Sequence, residues 1–173
     1  MSPIEAWFAD RHWKPFRFQQ EVWAAYAAGK SGLIHAPTGL GKTLAAWLGP
    51  VASALTKPPG QPGLRVLWIT PLRALAVDTT QSLREPLAGL GLKWDVEMRT
   101  GDTSQKIRAQ LKKRLPEALV TTPESLSVML SYPDAAERMA GLEAVIVDEW
   151  HELLSSKRGV QTELCLARLR AWN

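Results

Sequence analysis

Apolar residues along this chain fall into two kinds of run, one with helical spacing and one continuous and short. Residues 4–28 have the helical spacing, with Gln20-Glu21-Val22-Trp23-Ala24-Ala25 an amphipathic stretch that Gly29 stops. Gly32-Leu33-Ile34-His35-Ala36 predicts a short buried strand, followed by a loop at 37–42 and a helix from Thr43 to about Leu55. Residues 57–63 are Pro/Gly-rich and predict a surface loop. Arg65–Ile69 predicts a second strand, Leu72–Leu90 a helix, and Trp94–Met98 a third strand. Ser104–Leu115 predicts a basic helix with Ser104 as its N-cap. Ala118–Thr121 predicts a fourth strand, and Pro123 stands where a helix begins, its missing N–H costing nothing there. Ala144–Val147 predicts a fifth strand, and residues 159–172 a closing helix. Strands alternating with helices predict an α/β fold, a parallel sheet covered by helices on both faces. The continuous apolar run Val145-Ile146-Val147 suits a strand buried on both sides. Ligands of such sheets bind at the carboxyl ends of the strands.

Two motifs lie at such ends. Residues 36–43 read Ala-Pro-Thr-Gly-Leu-Gly-Lys-Thr. A loop that turns successive N–H groups onto phosphate oxygens needs small residues, and Gly39 and Gly41 supply them. Pro37, Thr38, Gly39, Leu40 and Gly41 are the expected cradle for a nucleoside triphosphate. Lys42 is expected on the β- and γ-phosphates and Thr43 on magnesium through its hydroxyl. The helix after the loop presents its positive end to the phosphates. The general motif begins with Gly, where this chain has Ala36; one large group of proteins accepts that exchange.

The second motif is Asp148-Glu149-Trp150-His151, directly after the last apolar strand. Asp148 is expected at the sheet edge beside the phosphate loop, holding magnesium through water. Glu149 is expected to orient and polarise the attacking water, as phosphoryl transfer requires. His151, one turn further, is expected to relay the nucleotide state to other elements.

Composition narrows the class. The chain has 173 residues, 46% of them hydrophobic, a length that suits one globular domain. A net charge of +4 and a pI near 9.4 lean weakly towards a polyanionic partner. One cysteine, Cys165, excludes an internal disulfide and fits a reducing cytoplasm; its apolar helical setting reads as core. No apolar stretch approaches membrane-spanning length, so no membrane partner is expected. Most of the eight tryptophans read as core or interface anchors. His12 and His35 have no ligand cluster around them, which speaks against zinc. The basic run Lys106, Arg108, Lys112, Lys113, Arg114 reads as a solvated helix face, as do Lys157 and Arg158.

With these motifs in this order, the chain resembles the first RecA-like domain of superfamily 2 DEXH-box helicases. Within that group it is most similar to the large helicase-related family and its ligase-associated DNA helicases, over nearly all 173 residues. Pro15-Phe16-Arg17-Phe18-Gln19 resembles the adenine-reading motif, with Gln19 as the reader and Trp13 or Phe16 as stacking partner. Thr70-Pro71-Leu72-Arg73, Thr100-Gly101-Asp102 and Thr121-Thr122-Pro123-Glu124 resemble three strand-gripping motifs. The resemblance places Thr70, Pro71, Arg73, Thr100, Gly101, Thr122 and Pro123 on a nucleic-acid backbone. It implies ATP and magnesium as cofactors, and ATP hydrolysis coupled to movement along single-stranded DNA. It also implies a prokaryotic cytoplasmic or nucleoid setting, a role in DNA repair, and DNA ligase and nuclease partners. RNA or an RNA–DNA hybrid is the alternative substrate, and a nucleic-acid-binding module without productive ATPase the alternative class. The family's Ser-Ala-Thr motif and second RecA-like domain do not follow within these residues. The expectation is therefore a piece of a longer helicase that hydrolyses ATP poorly alone.

Overall fold

Among the described residues, four strands run parallel in the order β2-β3-β1-β4: β1 (Val66–Ile69), β2 (Val96–Arg99), β3 (Ala118–Thr121) and β4 (Ala144–Val147). The computed structural model describes residues 2–56 and 63–172. Of the loop expected at 57–63, only Gly63 lies among them. The helices are α1 (Pro3–Asp10), α2 (Arg17–Ala27), α3 (Lys42–Thr56), α4 (Arg73–Leu90), α5 (Gln105–Lys113), α6 (Pro123–Leu130), α7 (Ala135–Met139), α8 (Trp150–Leu153) and α9 (Lys157–Trp172). The result is a parallel sheet with flanking helices, as the alternation of patterns predicts. The chain divides into two compact units, Met1–Gly60 with Ser82–Lys93, and Gln61–Gln81 with Trp94–Asn173.

In the first unit, the helix expected over 4–28 is two helices. Ser2 caps α1 and forms a reciprocal capping box with Glu5. His12 then adopts φ +57, and the Trp13 N–H bonds back to the Phe8 carbonyl. Pro15 prevents resumption before Arg17, because it cannot donate and it disfavours helical backbone at Lys14. Trp7, Phe8, Trp13 and Trp23 pack edge to face. Gly29, at φ +70, ends the second helix as expected. The strand expected at 32–36 does not form. These residues carry no strand pairing, and Leu33 is exposed. The apolar run is present, but a strand exists only where a neighbour takes its hydrogen bonds.

In the second unit, Leu67, Ile69 and Leu119 of the sheet pack with Leu111 of α5, Leu126 and Leu130 of α6, Met139 of α7 and Cys165 of α9. Burial raises the Cys165 thiol pKa, Arg168 opposing it, so this cysteine stays protonated and inert as a core residue. All residues of β1 and β3 are buried. All of β4 is only half-buried, against the expectation of burial on both sides. It ends the order β2-β3-β1-β4 and pairs only with β1 among the described strands.

Gly159 sits inside α9 where a Cβ would stand 2.0 Å from the Leu153 carbonyl oxygen. That carbonyl also accepts from the Ser156 hydroxyl at 2.8 Å, and the Ser156 hydroxyl accepts from the Gly159 N–H at 3.1 Å. Helix propensity alone favours Ala over Gly by about 1 kcal/mol. Backbone overlap at this distance outweighs it. Gly159→Ala is expected to lower stability by about 1–3 kcal/mol, read as a lower midpoint in urea denaturation. A raised midpoint would mean that the turn from α8 into α9 yields easily.

Candidate functional site

The phosphate-type loop belongs to the first unit and is held shut at three points. Gly39 and Gly41 take φ +85 and +78, the left-handed conformations for which glycine suits this loop. Lys42 Nζ donates to the Ala36 carbonyl at 2.8 Å and ties the two ends of the loop together. Gln19 Nε2 donates to the Gly41 carbonyl at 3.0 Å, while its Oε1 accepts from the Phe16 N–H at 2.9 Å. Pro37, Thr38, Gly39 and Leu40 are exposed, and Thr43 lies in the first turn of α3, whose leading N–H groups have no intrahelical partners. A Cβ on Gly41 would stand 2.7 Å from Gln19 Nε2, so this glycine serves both the turn and the docking of Gln19. Gln19 is itself only 2% exposed. Each end of its amide keeps one unused bonding site, and using these on a base requires the side chain to be uncovered. Trp13 and Phe16, the expected stacking partners, are both exposed.

The acidic pair belongs to the second unit. Asp148 follows β4, and its N–H donates to the Ile69 carbonyl at 2.8 Å, which fixes it at the carboxyl end of the sheet. Its Oδ1 accepts from the Glu149 N–H at 3.0 Å and its Oδ2 from Trp68 Nε1 at 3.3 Å. Glu149 has φ +46, ψ +45 and caps α8. A non-glycine residue there costs of order 1 kcal/mol, and such conformations concentrate at functional sites. His151 reaches Glu149 Oε2 through Nδ1 and Glu152 Oε1 through Nε2, both at 3.4 Å. Asp148 retains about two of its four lone-pair positions, and both are compatible with a hydrated divalent cation. Trp68 escapes sequence reasoning because a strand tryptophan reads as core; only the register Trp68↔Ile146 reveals it as Asp148's neighbour across the ladder.

Strand register also gathers the three expected gripping motifs. Ile69, Thr121 and Arg99 are level across β1, β3 and β2, so Thr70, Thr122 and Thr100 follow at one edge. All three threonines are buried, as are Pro71 and Pro123. The Thr100 hydroxyl accepts from the Asp102 N–H, and the Thr122 hydroxyl caps α6 from the Ser125 N–H. The Thr70 hydroxyl has no partner among the described residues. The accessible groups are Leu72, Arg73, Gly101 and Asp102. Arg73 Nη1 donates to both Asp102 oxygens, at 2.8 and 3.0 Å. A Cβ on Gly101 would fall 2.9 Å from Arg73 Nη2, so Gly101 leaves room for the guanidinium. The pair is exposed and worth at most about 1 kcal/mol, so a phosphate can take Arg73 from Asp102 at little cost.

Arg158, expected on a solvated face, instead braces this edge. Its Nε meets Glu124 Oε1 at 2.6 Å and its Nη1 donates to the Pro71 carbonyl at 3.1 Å. The spacing of α9 gives no sign of either bond. Burial tends to raise the Glu124 pKa, but hydrogen bonds from its own N–H and from Thr122, with the Arg158 charge, win and hold it below the ordinary value. A lowered carboxylate pKa contributes stability that is present above the unfolded value and lost as pH falls through the folded one. Melting temperature is therefore expected to fall on acidification below about pH 4.5, and Glu124→Gln to flatten part of that dependence. Identical pH profiles for the two proteins would dismiss the brace as a contributor.

The DEAD/DEAH box helicase family matches residues 16–173. The chain belongs to that family. Among curated relatives of this helicase-family chain, the Lhr helicase/probable uracil glycosylase of Mycolicibacterium smegmatis is 40% identical over 94% of the chain. The Lhr helicase/uracil glycosylase of Escherichia coli is 37% identical over 95% of it. The chain spans only 12% of the length of either relative. The solved structure of M. smegmatis helicase Lhr bound to ssDNA and AMP-PNP has a TM-score of 0.87 and 36% identity, covering 99% of this chain and 24% of that one. The helicase-family domain is thus of RecA-like architecture and similar to Lhr-type helicases throughout its length.

Proposed function

We propose that this helicase-family chain is the ATP-binding first motor domain of an ATP-dependent helicase or translocase that moves on single-stranded DNA. One observation carries the proposal. The chain is 36% identical over 99% of its length to a protein whose structure holds ssDNA and a triphosphate analogue, and its own loop 36–43 has the turned backbone such a ligand needs. Pro37 to Gly41 cradle the phosphates, Lys42 leaves the Ala36 carbonyl for the β- and γ-oxygens, and the first N–H groups of α3 face the same charge. Thr43 and Asp148 are each proposed as a magnesium ligand, and the ion would supply charge neutralisation on the phosphates. Glu149 orients the attacking water and accepts its proton, and His151, within reach of Glu149, carries its state into α8. Gln19 links the loop to α2 and reads adenine once uncovered. Arg73, Gly101 and the backbone around Thr70, Pro71, Thr100, Thr122 and Pro123 grip the strand through its phosphates, without reading bases.

In the longer protein a second RecA-like domain supplies the arginine that completes hydrolysis, a contribution of about 10³–10⁵ in rate. The cellular task proposed is DNA repair in a prokaryotic cytoplasm, with ligase and nuclease partners. ATP turnover and oligonucleotide binding by the 173-residue chain test these assignments. Weak magnesium-dependent ATP binding, slow turnover and preference for single-stranded DNA over RNA of the same sequence are expected. Tighter binding of RNA would move the substrate to the alternative, since a backbone grip distinguishes the two only at the 2′-hydroxyl. Robust DNA-stimulated turnover by the chain alone would remove the need for a second domain.

A further inference from the structure

We infer that Arg99, Arg108, Lys112 and Arg138 form a notch for one non-bridging oxygen of a nucleic-acid backbone phosphate, a contact beyond the strand-end motifs that rests on the nucleic-acid reading above. The notch lies where the end of β2, α5, α7 and the residues after α6 meet, and it is lined by these four cations with Met129 and Tyr132 among others. Its volume is about 10 Å³, room for a single water-sized atom. Arg99 is 7% exposed, donates from Nη2 to the Tyr132 hydroxyl at 2.9 Å, and has no carboxylate within ion-pair range among the described residues. Its guanidinium and the Lys112 ammonium stand 5.6 and 5.3 Å from the Tyr132 ring centre. Arg108 bonds the Gly101 carbonyl through Nη2, while its Nε–H is buried without an acceptor. Arg138 bonds the Leu111 carbonyl and has the one carboxylate of the group, Asp134, at 3.8 Å.

Four cations facing one carboxylate leave a strong local excess of positive charge. A buried arginine without an anion is costly to desolvate, and the unmet Nε–H of Arg108 adds an orphan donor. The void is too small for a whole phosphate or for both oxygens of a carboxylate. It accepts one anionic oxygen whose parent group lies outside, which a phosphodiester passing over the mouth presents. Position supports the same ligand. Gly101 stands beside the Arg73 guanidinium, and Arg108 holds the Gly101 carbonyl, so the notch continues the edge that Arg73 begins. Arg108, half-buried, thus leaves the solvated face expected of the basic run, while Lys106 and Lys112 stay exposed, Lys112 at the mouth of the notch.

The test measures binding of fluorescently labelled single-stranded oligo-dT to the chain by anisotropy across a range of salt. Lys112→Gln and Arg108→Gln are each expected to reduce the slope of log affinity against log salt, by at most about 0.7, the value for complete loss of the one phosphate contact on a single strand. Lys106→Gln, in the same helix, is expected to leave it unchanged. Because Lys112 is exposed, its variant tests the notch even if Arg108→Gln perturbs α5. Unchanged slopes for Lys112→Gln and Arg108→Gln, with a reduced slope for Arg73→Gln, would overturn the notch and leave the strand grip standing. An equal loss from Lys106→Gln would replace the notch by diffuse charge. Absence of any oligonucleotide binding by the native chain would overturn both.

Discussion

Lys42→Ala is expected to weaken ATP binding about 10- to 150-fold while leaving the fold intact. The estimate follows from one charge-assisted hydrogen-bonding group. Such bonds contribute about 1.5–3 kcal/mol net, which corresponds to that range in affinity. Without nucleotide, Lys42 Nζ bonds the Ala36 carbonyl at 2.8 Å, a half-buried contact between the ends of the same loop. Its loss leaves a carbonyl that water can reach, so the stability cost is small. The other two fastenings, the glycine turns and the Gln19 bond to Gly41, do not involve the ammonium. Loop shape and ligand affinity are therefore separable. A fluorescent ATP analogue titrated into both proteins, with circular dichroism as the check on folding, reads the difference. Equal affinities would show that Lys42 is merely a clasp, and the phosphate-cradle assignment would fail with it. Lys42→Arg is expected to recover only part of the loss, because the planar fork cannot converge on two phosphates as a compact ammonium does.

The sheet was legible from sequence wherever a short apolar run is buried by its own neighbours. Ala118–Thr121 and Ala144–Val147 form strands at the expected residues, and Ser104 and Pro123 start helices as their side-chain chemistry dictates. Failures came where structure depends on a partner distant in sequence. Leu33 and Ile34 look like strand residues but have no paired neighbour, and half-burial of β4 is a property of its place in the strand order rather than of Val145 or Val147. The helical period from 4 to 28 concealed a break that His12 makes by taking a positive φ, a choice no hydrophobic pattern records. The short helices α7 and α8 passed unnoticed, since one turn shows no period.

The same division holds for the candidate sites. Motif chemistry singles out the loop, the acidic pair and the strand-end residues as candidates, because each role needs particular residue types at fixed spacing. It did not show which of them face solvent. Thr70, Thr100 and Thr122 are expected on a nucleic-acid backbone, yet all three are buried, and the Thr100 and Thr122 hydroxyls accept from the Asp102 and Ser125 N–H groups. Arg158 and Arg108 were read as surface charge, yet each bonds a backbone carbonyl in a motif region, at Pro71 and Gly101. Their partners lie 87 and 7 residues away in the chain. An arginine's local surroundings do not reveal which carbonyl it will reach.

If Glu149 is the general base proposed above, Glu149→Gln is expected to lower ATP turnover by about 10²–10⁴ while ATP affinity stays within a few-fold. The amide is close to isosteric, so the substitution isolates proton acceptance from shape. Glu149 sits at φ +46 for reasons carried by its backbone. Its N–H caps Asp148 Oδ1 at 3.0 Å, and Asp148 is held from the other side by Trp68 Nε1. Gln retains that N–H and can still meet His151, so Asp148 keeps its position as the proposed cation ligand. What disappears is the carboxylate proposed to take a proton from water. Asp148→Asn provides the contrast. It removes charge from the proposed metal ligand itself, so it is expected to weaken magnesium-dependent binding as well as turnover. Single-turnover hydrolysis and equilibrium nucleotide binding, measured on both variants, distinguish the roles. If Glu149→Gln reduced binding and spared the rate of hydrolysis, the two carboxylates would exchange assignments: Glu149 would hold the cation, and its left-handed backbone would serve to aim it there.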